Sequence, residues 1–169
     1  MDCLGGLVVN ELLNSLPYAG QVVWLGLRPE RRASLEIVEQ FTVDVEQGVL
    51  GDHFQGSSDS PRQVTLLQYE HLAVVAKLVE QEKIDPADLR RNIVVSGINL
   101  LALKNQEFRI GEALLLGTGN CPPCSRMEEN LGPGGYNAMR GHGGITARVI
   151  EPGQISVGSE VRWQPSESN

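Results

Sequence analysis

Basic residues are the scarce class in this chain: 14 lysines and arginines stand against 21 aspartates and glutamates, for a net charge of −7. No run of basic residues stands out, which argues against a general nucleic-acid binder, because such a protein needs a basic face to neutralise phosphates. A small anionic ligand stays compatible, since a few arginines in one cleft can work inside an acidic protein. Cysteine is scarce and odd in number, so the three thiols cannot all pair within one chain. The opening segment MDCLGGLVVNELLNSLPYAG has no basic start, and Asn10, Glu11 and Asn14 interrupt its apolar run. It does not read as a secretion signal, so the expectation is reduced thiols in the cytoplasm and no membrane contact. Repeats and linkers are absent too, and 169 residues of ordinary composition suffice for one globular unit with a proper core.

Three stretches are expected. Residues 1–20 form an N-terminal docking segment in which Leu4, Leu7, Val8, Leu12, Leu13 and Leu16 line one side of a short helix. Residues 21–164 form a single domain, and the polar tail 165–169 frays. Within the domain, Gln21–Leu27, Leu35–Val45 and Arg62–Leu67 are strand-like, and so are five short runs at 93–96, 107–110, 113–116, 145–150 and 160–163. Gly48–Ser60 reads as a loop. The spacing of Leu72, Val75, Ala76 and Val79 predicts one long helix over 68–82, and Asp85 with Pro86 signals a second helical start. Most strands follow one another without a helix between them. That pattern disfavours a doubly wound parallel sheet and favours a mainly β (α+β) architecture, an antiparallel β-barrel with one long and a few short helices.

The stretch TGNCPPCSRMEENLG carries two of the cysteines. The prolines hold Cys121 and Pro122 extended, and SRMEENL is helix-compatible up to the stop at Gly132-Pro133. The helix can begin at Pro123, or at a Ser125 cap with Glu128 in a capping box. Either start puts Cys124 within about one residue of a helix N-terminus, where unpaired N–H groups stabilise negative charge. That suits a nucleophile or a soft metal ligand. Cys121 has less of this advantage, so the two thiols are unequal. Four readings stay open on spacing alone: a zinc clip completed from Cys3, His53, His71 or His142, a thiol-redox pair, two buried structural thiols, or one working Cys124.

Other residues carry candidate chemistry. Arg90 and Arg91 open a strand, where side chains reach a barrel mouth, and a guanidinium matches phosphate through its fork of donors. The alternative for them is a solvated surface pair. Asn92 can serve simple turn chemistry. Gly143 and Gly144, after Gly141-His142, can offer bare backbone N–H groups to an anion or form a plain tight loop. His53 and His142 are loop histidines open to solvent or to a ligand. Arg28, Arg31 and Arg32 read as a solvated charge run rather than as part of a positive mouth.

The order of motifs is more informative than any one of them. Gly51-Asp-His53 comes first, then Arg62-Gln-Val-Thr-Leu66 and Leu89-Arg-Arg-Asn-Ile-Val-Val-Ser-Gly97. Ile98-Asn-Leu100, Phe108-Arg-Ile-Gly111, Cys121-Pro-Pro-Cys124 and Gly143-Gly-Ile-Thr-Ala-Arg-Val149 follow, with Gly153-Gln-Ile155 last. This series resembles the MOSC domain family, named for the C-terminal domain of molybdenum cofactor sulfurase, over nearly the whole chain from Val22 to Trp163. The resemblance implies a MOSC-type β-barrel and a pocket for a molybdenum cofactor of the molybdopterin type. It implies that Cys124 ligates molybdenum or carries sulfur as a persulfide. It further implies cofactor contacts from Arg90 or Arg91 with Asn92, to which Arg62, His53, His142, Gly143 and Gly144 are added as candidates. The family supports either sulfur or cofactor carriage or a small molybdenum oxidoreductase acting on N-hydroxylated compounds. The partners implied are an electron-donor reductase, a cysteine desulfurase or a recipient molybdoenzyme. Pyridoxal phosphate is not expected, because the chain is too short for the desulfurase domain that uses it. His142 stands where family members often carry arginine. The chain also lacks the extra N-terminal domain of the larger amidoxime reductases, so a shallow pocket or one completed by a partner is implied.

Overall fold

The computed structural model describes residues 9–54 and 56–165. Seven strands close on themselves: β1 (Gly20–Leu27), β11 (Glu160–Gln164), β7 (Glu107–Ile110), β8 (Ala113–Asn120), β9 (Ile145–Glu151), β5 (Val64–Gln68) and β6 (Ile93–Ser96), with β6 returning to β1. The short β2 (Glu36–Val38) extends β1 outward, while β3 (Gln40–Asp44), β4 (Gly48–Val49) and β10 (Gly153–Ser156) make a small second sheet. The mainly β reading holds, with one refinement. Every barrel pairing is antiparallel except β5–β6, which is parallel. A parallel pair needs a long crossover, and here residues 69–92 supply it.

The crossover holds the long helix α1 (Glu70–Leu78) and a 3-10 turn at Pro86–Leu89. The helix is shorter than its predicted span at both ends. Gln68 stays in β5, where its side chain accepts from the Leu100 N–H (2.9 Å), and Glu80 turns left-handed at φ 56°. Asp85 caps the 3-10 turn as expected, accepting from the Ala87 N–H at 3.0 Å. The predicted strand 35–45 is broken at Glu39 because β2 and β3 belong to different sheets. The predicted loop 48–60 contains the two-residue β4, and β10 was not signalled at all.

Two layers of core follow from this topology. Leu25, Leu66, Val95, Phe108, Leu115, Ala147 and Val161 fill the barrel. Leu67 and Val94 point the other way and meet Leu72, Val75, Leu89, Met127, Leu131 and Met139. Strand β5 is therefore buried on both faces, and each such leucine contributes about 1.5–3 kcal/mol by leaving water. The outer layer carries α1, α2 (Ser125–Leu131) and α3 (Gly135–Met139), so the segment joining β8 to α2 is pinned at the barrel rim.

At the N-terminus, residues 9–13 are helical, with Val9, Leu12 and Leu13 exposed, whereas Leu16 packs against the barrel core. Leu4, Leu7 and Val8 of the predicted apolar stripe lie outside the described residues. Among the described residues, no helix is long and apolar enough to cross a membrane.

Candidate functional site

Strand β8 runs four residues beyond its predicted end and delivers Cys121 directly. Cys121 is buried, and its N–H donates to the Gly144 carbonyl (2.9 Å), extending the β8–β9 ladder by one step. Pro122 and Pro123 then carry the chain to Cys124, which is the N-cap of α2 in extended conformation (φ −118°, ψ 174°). Its sulfur makes no capping bond, and the residue is exposed. The alternative start with a Ser125–Glu128 capping box is not formed, because the Glu128 carboxylate instead accepts from the Gly134 and Tyr136 N–H groups at 2.8 and 2.9 Å. The expected inequality is therefore a difference of burial: Cys124 faces outward and Cys121 inward.

Cys124 opens onto a cleft of about 300 Å³ lined by Arg28, Arg31, Arg32, Arg90, Arg126 and His53, with Glu30 the only carboxylate among the lining residues. Arg90 ends the 3-10 turn in the left-handed region at φ 58°, a conformation that costs a non-glycine residue about 1–2 kcal/mol. Burial, then the neighbouring Arg28 and Arg126, push the pKa of Arg90 down from its usual value. An anion in the cleft would relieve that crowding.

Arg28 is held by an ion pair with Asp52. Its main-chain N–H donates to Asp52 Oδ1 at 2.6 Å, and its Nη2 lies 3.7 Å from Asp52 Oδ2. Its Nε is buried and finds no hydrogen-bond partner among the described residues. The Gly51-Asp-His53 element thus works as a clamp: Asp52 grips Arg28, and the His53 N–H donates to the Arg28 carbonyl at 2.5 Å. An adjoining recess of about 260 Å³ shares Arg28 and His53 and adds Arg62 and Asn92. There Arg62 Nη2 reaches Cys121 Sγ at 3.5 Å.

The Arg90-Arg91-Asn92 element divides by burial. Only Arg90 lines the cleft. Arg91 is 2 % exposed, and its guanidinium donates to the carbonyls of Leu89 (2.8 Å), Gly143 (2.9 Å), Cys121 and Pro122 (both 3.5 Å). Burial pushes its pKa down. Every one of these bonds ends on protein backbone, so Arg91 is a brace and not the surface residue its alternative reading allowed. Asn92, also buried, takes the Thr65 N–H and hydroxyl on Oδ1 (3.2 and 3.1 Å) and donates to the Gly26 carbonyl (3.3 Å), tying β1, β5 and β6 together.

Gly143 and Gly144 sit on the other side of the cysteine segment and line a separate cavity. A side chain at Gly143 would run into the Cys121 carbonyl, and one at Gly144 (φ 81°) into the Leu66 carbonyl. Close backbone approach explains both glycines. His142 Nδ1 pairs with the Ala138 carbonyl at 3.0 Å, and its ring meets His71 edge-on with centroids 5.1 Å apart. Of the predicted residues, then, Cys124, Arg90 and His53 meet in the cleft, with Arg62 and Asn92 in the recess beside it. Arg91, His142, Gly143 and Gly144 lie elsewhere. Arg126 was missed, and the loop arginines 28, 31 and 32 line the cleft, with Arg31 and Arg32 at the same time exposed to solvent as a charge run would be. The available signal was three cations in one loop, but nothing in the sequence aims that loop at Arg90. Among the described residues, no group of three or more His, Cys, Asp or Glu side chains is placed to hold a metal ion, and Cys3 lies outside them.

The pattern of the MOSC domain matches residues 51–162. Among solved structures, the YuaD protein from Bacillus subtilis superposes with a TM-score of 0.74 at 20 % identity, over 87 % of this chain and 97 % of that one. YiiM from Geobacillus stearothermophilus gives 0.71 at 16 % identity, over 86 % and 75 %, and YiiM from Escherichia coli gives 0.66 at 20 %, over 88 % and 72 %. None of the curated proteins compared matches the chain significantly.

Proposed function

The chain belongs to the MOSC domain family, and we propose that it binds a molybdenum cofactor in its arginine-lined cleft, with Cys124 as metal ligand or persulfide carrier. The observation that carries this reading is the joint placement of one exposed thiol and five arginines around a single cleft.

The donor set fits the group. A pterin-based cofactor presents a phosphate and a soft metal centre, and the cleft offers guanidinium forks beside a thiol. The buried Arg28 Nε, lacking a partner among the described residues, is a donor in search of an acceptor, and such an orphan carries a desolvation cost of about 1–3 kcal/mol until it is met. Arg28 and Arg90 would hold the phosphate, and Cys124 the metal or a sulfane sulfur. When bound, the molybdenum centre would supply two-electron chemistry at an N–O bond. The chain's own residues do the positioning. Asp52 fixes Arg28, the backbone conformation fixes Arg90, and the Arg91 brace fixes the segment that ends in Cys124.

Between carriage and catalysis, the size of the cleft favours carriage of sulfur or cofactor to a recipient molybdoenzyme. About 300 Å³ is at the low end for an enclosed ligand site, so a pterin cofactor would stay partly open for transfer or need a partner to cover it.

The test is to purify wild type and Cys124→Ser from a host that makes the cofactor, then assay molybdenum and released pterin. Wild type should contain both, and Cys124→Ser should lose the metal. A wild type free of molybdenum and pterin would overturn the reading. With both present, benzamidoxime reduction driven by an artificial electron donor separates enzyme from carrier: the carrier reading expects none.

A further inference from the structure

A second cavity, larger than the cleft at about 580 Å³, lies behind the cysteine segment and shares no lining residue with the cleft. Pro122 and Pro123 form part of its wall, while Cys124 belongs to the cleft. Its size falls within the range of small-molecule sites, and its lining differs in kind from that of the cleft.

Arg140 is the only formally charged side chain among the lining residues. Its Nη1 reaches no more than the neutral Asn137 Oδ1, at 3.5 Å, and no ion pair forms at it among the described residues. The rest of the lining combines Tyr136, Leu101 and the two prolines with the amide side chains of Asn99 and Asn120. His71 faces the same space. Its Nδ1 is buried without a hydrogen-bond partner among the described residues, and its ring is fixed by the edge contact with His142. Burial first, and His142 second, lower the His71 pKa, which favours the neutral ring. One cation without an ion pair, a wall of proline, leucine and tyrosine side chains and an imidazole suit a flat ring with one negative charge and one hydrogen-bonding group. A polyanionic phosphate ligand would find a single cation here against five arginines in the cleft.

We propose that this cavity is a second binding site, for a planar aromatic monocarboxylate. Arg140 takes the carboxylate, Tyr136 and the Pro122–Pro123 wall flank the ring, and the accessible edge of the His71 ring meets a polar ring substituent. The site stands whether or not the cleft holds a molybdenum cofactor, because the two share no residue.

The test titrates the full chain with 4-hydroxybenzoate by saturation-transfer-difference NMR, with circular dichroism as a fold check on each variant. Binding should saturate. It should weaken about tenfold in Arg140→Gln, and by a similar factor when 4-hydroxybenzamide replaces the acid, as loss of one charge-assisted pair predicts. It should be unchanged in Arg90→Ala and undisturbed by excess inorganic phosphate. His71→Leu should weaken 4-hydroxybenzoate but not benzoate. Absence of saturable binding would overturn the site. So would displacement by phosphate, or loss in Arg90→Ala with Arg140→Gln unaffected.

Discussion

Arg91 Nε and the Gly143 carbonyl are joined by a 2.9 Å hydrogen bond in the interior, across 52 positions of sequence. The same guanidinium reaches the carbonyls of Cys121 and Pro122, so one side chain fastens the cysteine segment to the glycine turn before β9. Replacing it leaves several buried carbonyls without donors at once. Arg91→Met should therefore lower stability by about 2–4 kcal/mol in chemical denaturation. Its neighbour in the cleft, Arg90, makes one long contact at 3.4 Å to the Ala33 carbonyl, and Arg90→Met should cost less than about 1 kcal/mol. Equal losses would contradict the division of labour between the two arginines.

The difference in burial between Cys124 and Cys121 predicts a difference in accessibility. In a Cys3→Ser background, iodoacetamide should label Cys124 in the native protein and Cys121 only after unfolding, as read by peptide mass spectrometry. Cys124→Ser should leave the melting temperature nearly unchanged. Cys121→Ser should lower stability by about 1–3 kcal/mol, because it puts a hydroxyl in a buried site.

Gly144 offers a sharper test of the fold. Its φ of 81° and the Leu66 carbonyl beside it leave no room for a side chain. Gly144→Ala should cost at least about 3 kcal/mol or prevent accumulation of folded protein. Gly141→Ala, where φ is 80° but nothing stands near the added carbon, should cost only the conformational penalty of about 1–2 kcal/mol.

His71 should leave a mark on the pH dependence of stability. Burial and the nearby His142 lower its pKa in the folded chain, while Glu70 acts weakly in the opposite direction. The unfolded chain therefore binds the proton more readily. The contribution is fully present above the unfolded value of about 6.5 and is lost as pH falls through the lowered folded value. Urea midpoints measured from pH 7.5 down to 5 should fall for wild type and fall less for His71→Leu. Parallel curves would exclude His71 as the source.

The fold was legible where local chemistry and tertiary need agree. Asp85-Pro86 caps a turn because its oxygen meets the Ala87 N–H within the same few residues. Cys124 falls at a helix start because the Pro-Pro pair and Gly132 bound the only helix-compatible run there. What was not legible depends on distant partners. The parallel β5–β6 pair hides because a crossover helix looks the same whichever way the next strand runs. Arg91 and Asn92 looked like surface and turn chemistry, since their partners at 143, 121, 65 and 26 are set only by barrel closure. Arg28, Arg31 and Arg32 have the composition of an ordinary solvated loop, and only the fold sets that loop beside Arg90 at one cleft.

The brace also bears on how this rim can change. Arg91 grips main-chain oxygens at Cys121, Pro122 and Gly143 and no side chain of the cysteine segment. Anchorage is thereby uncoupled from residue identity: side chains at the exposed tip can be exchanged while the peptide track beneath them keeps its position. The segment behaves as an interchangeable tool-head on a fixed mount, and a designer could graft a different reactive group at position 124 without rebuilding the barrel.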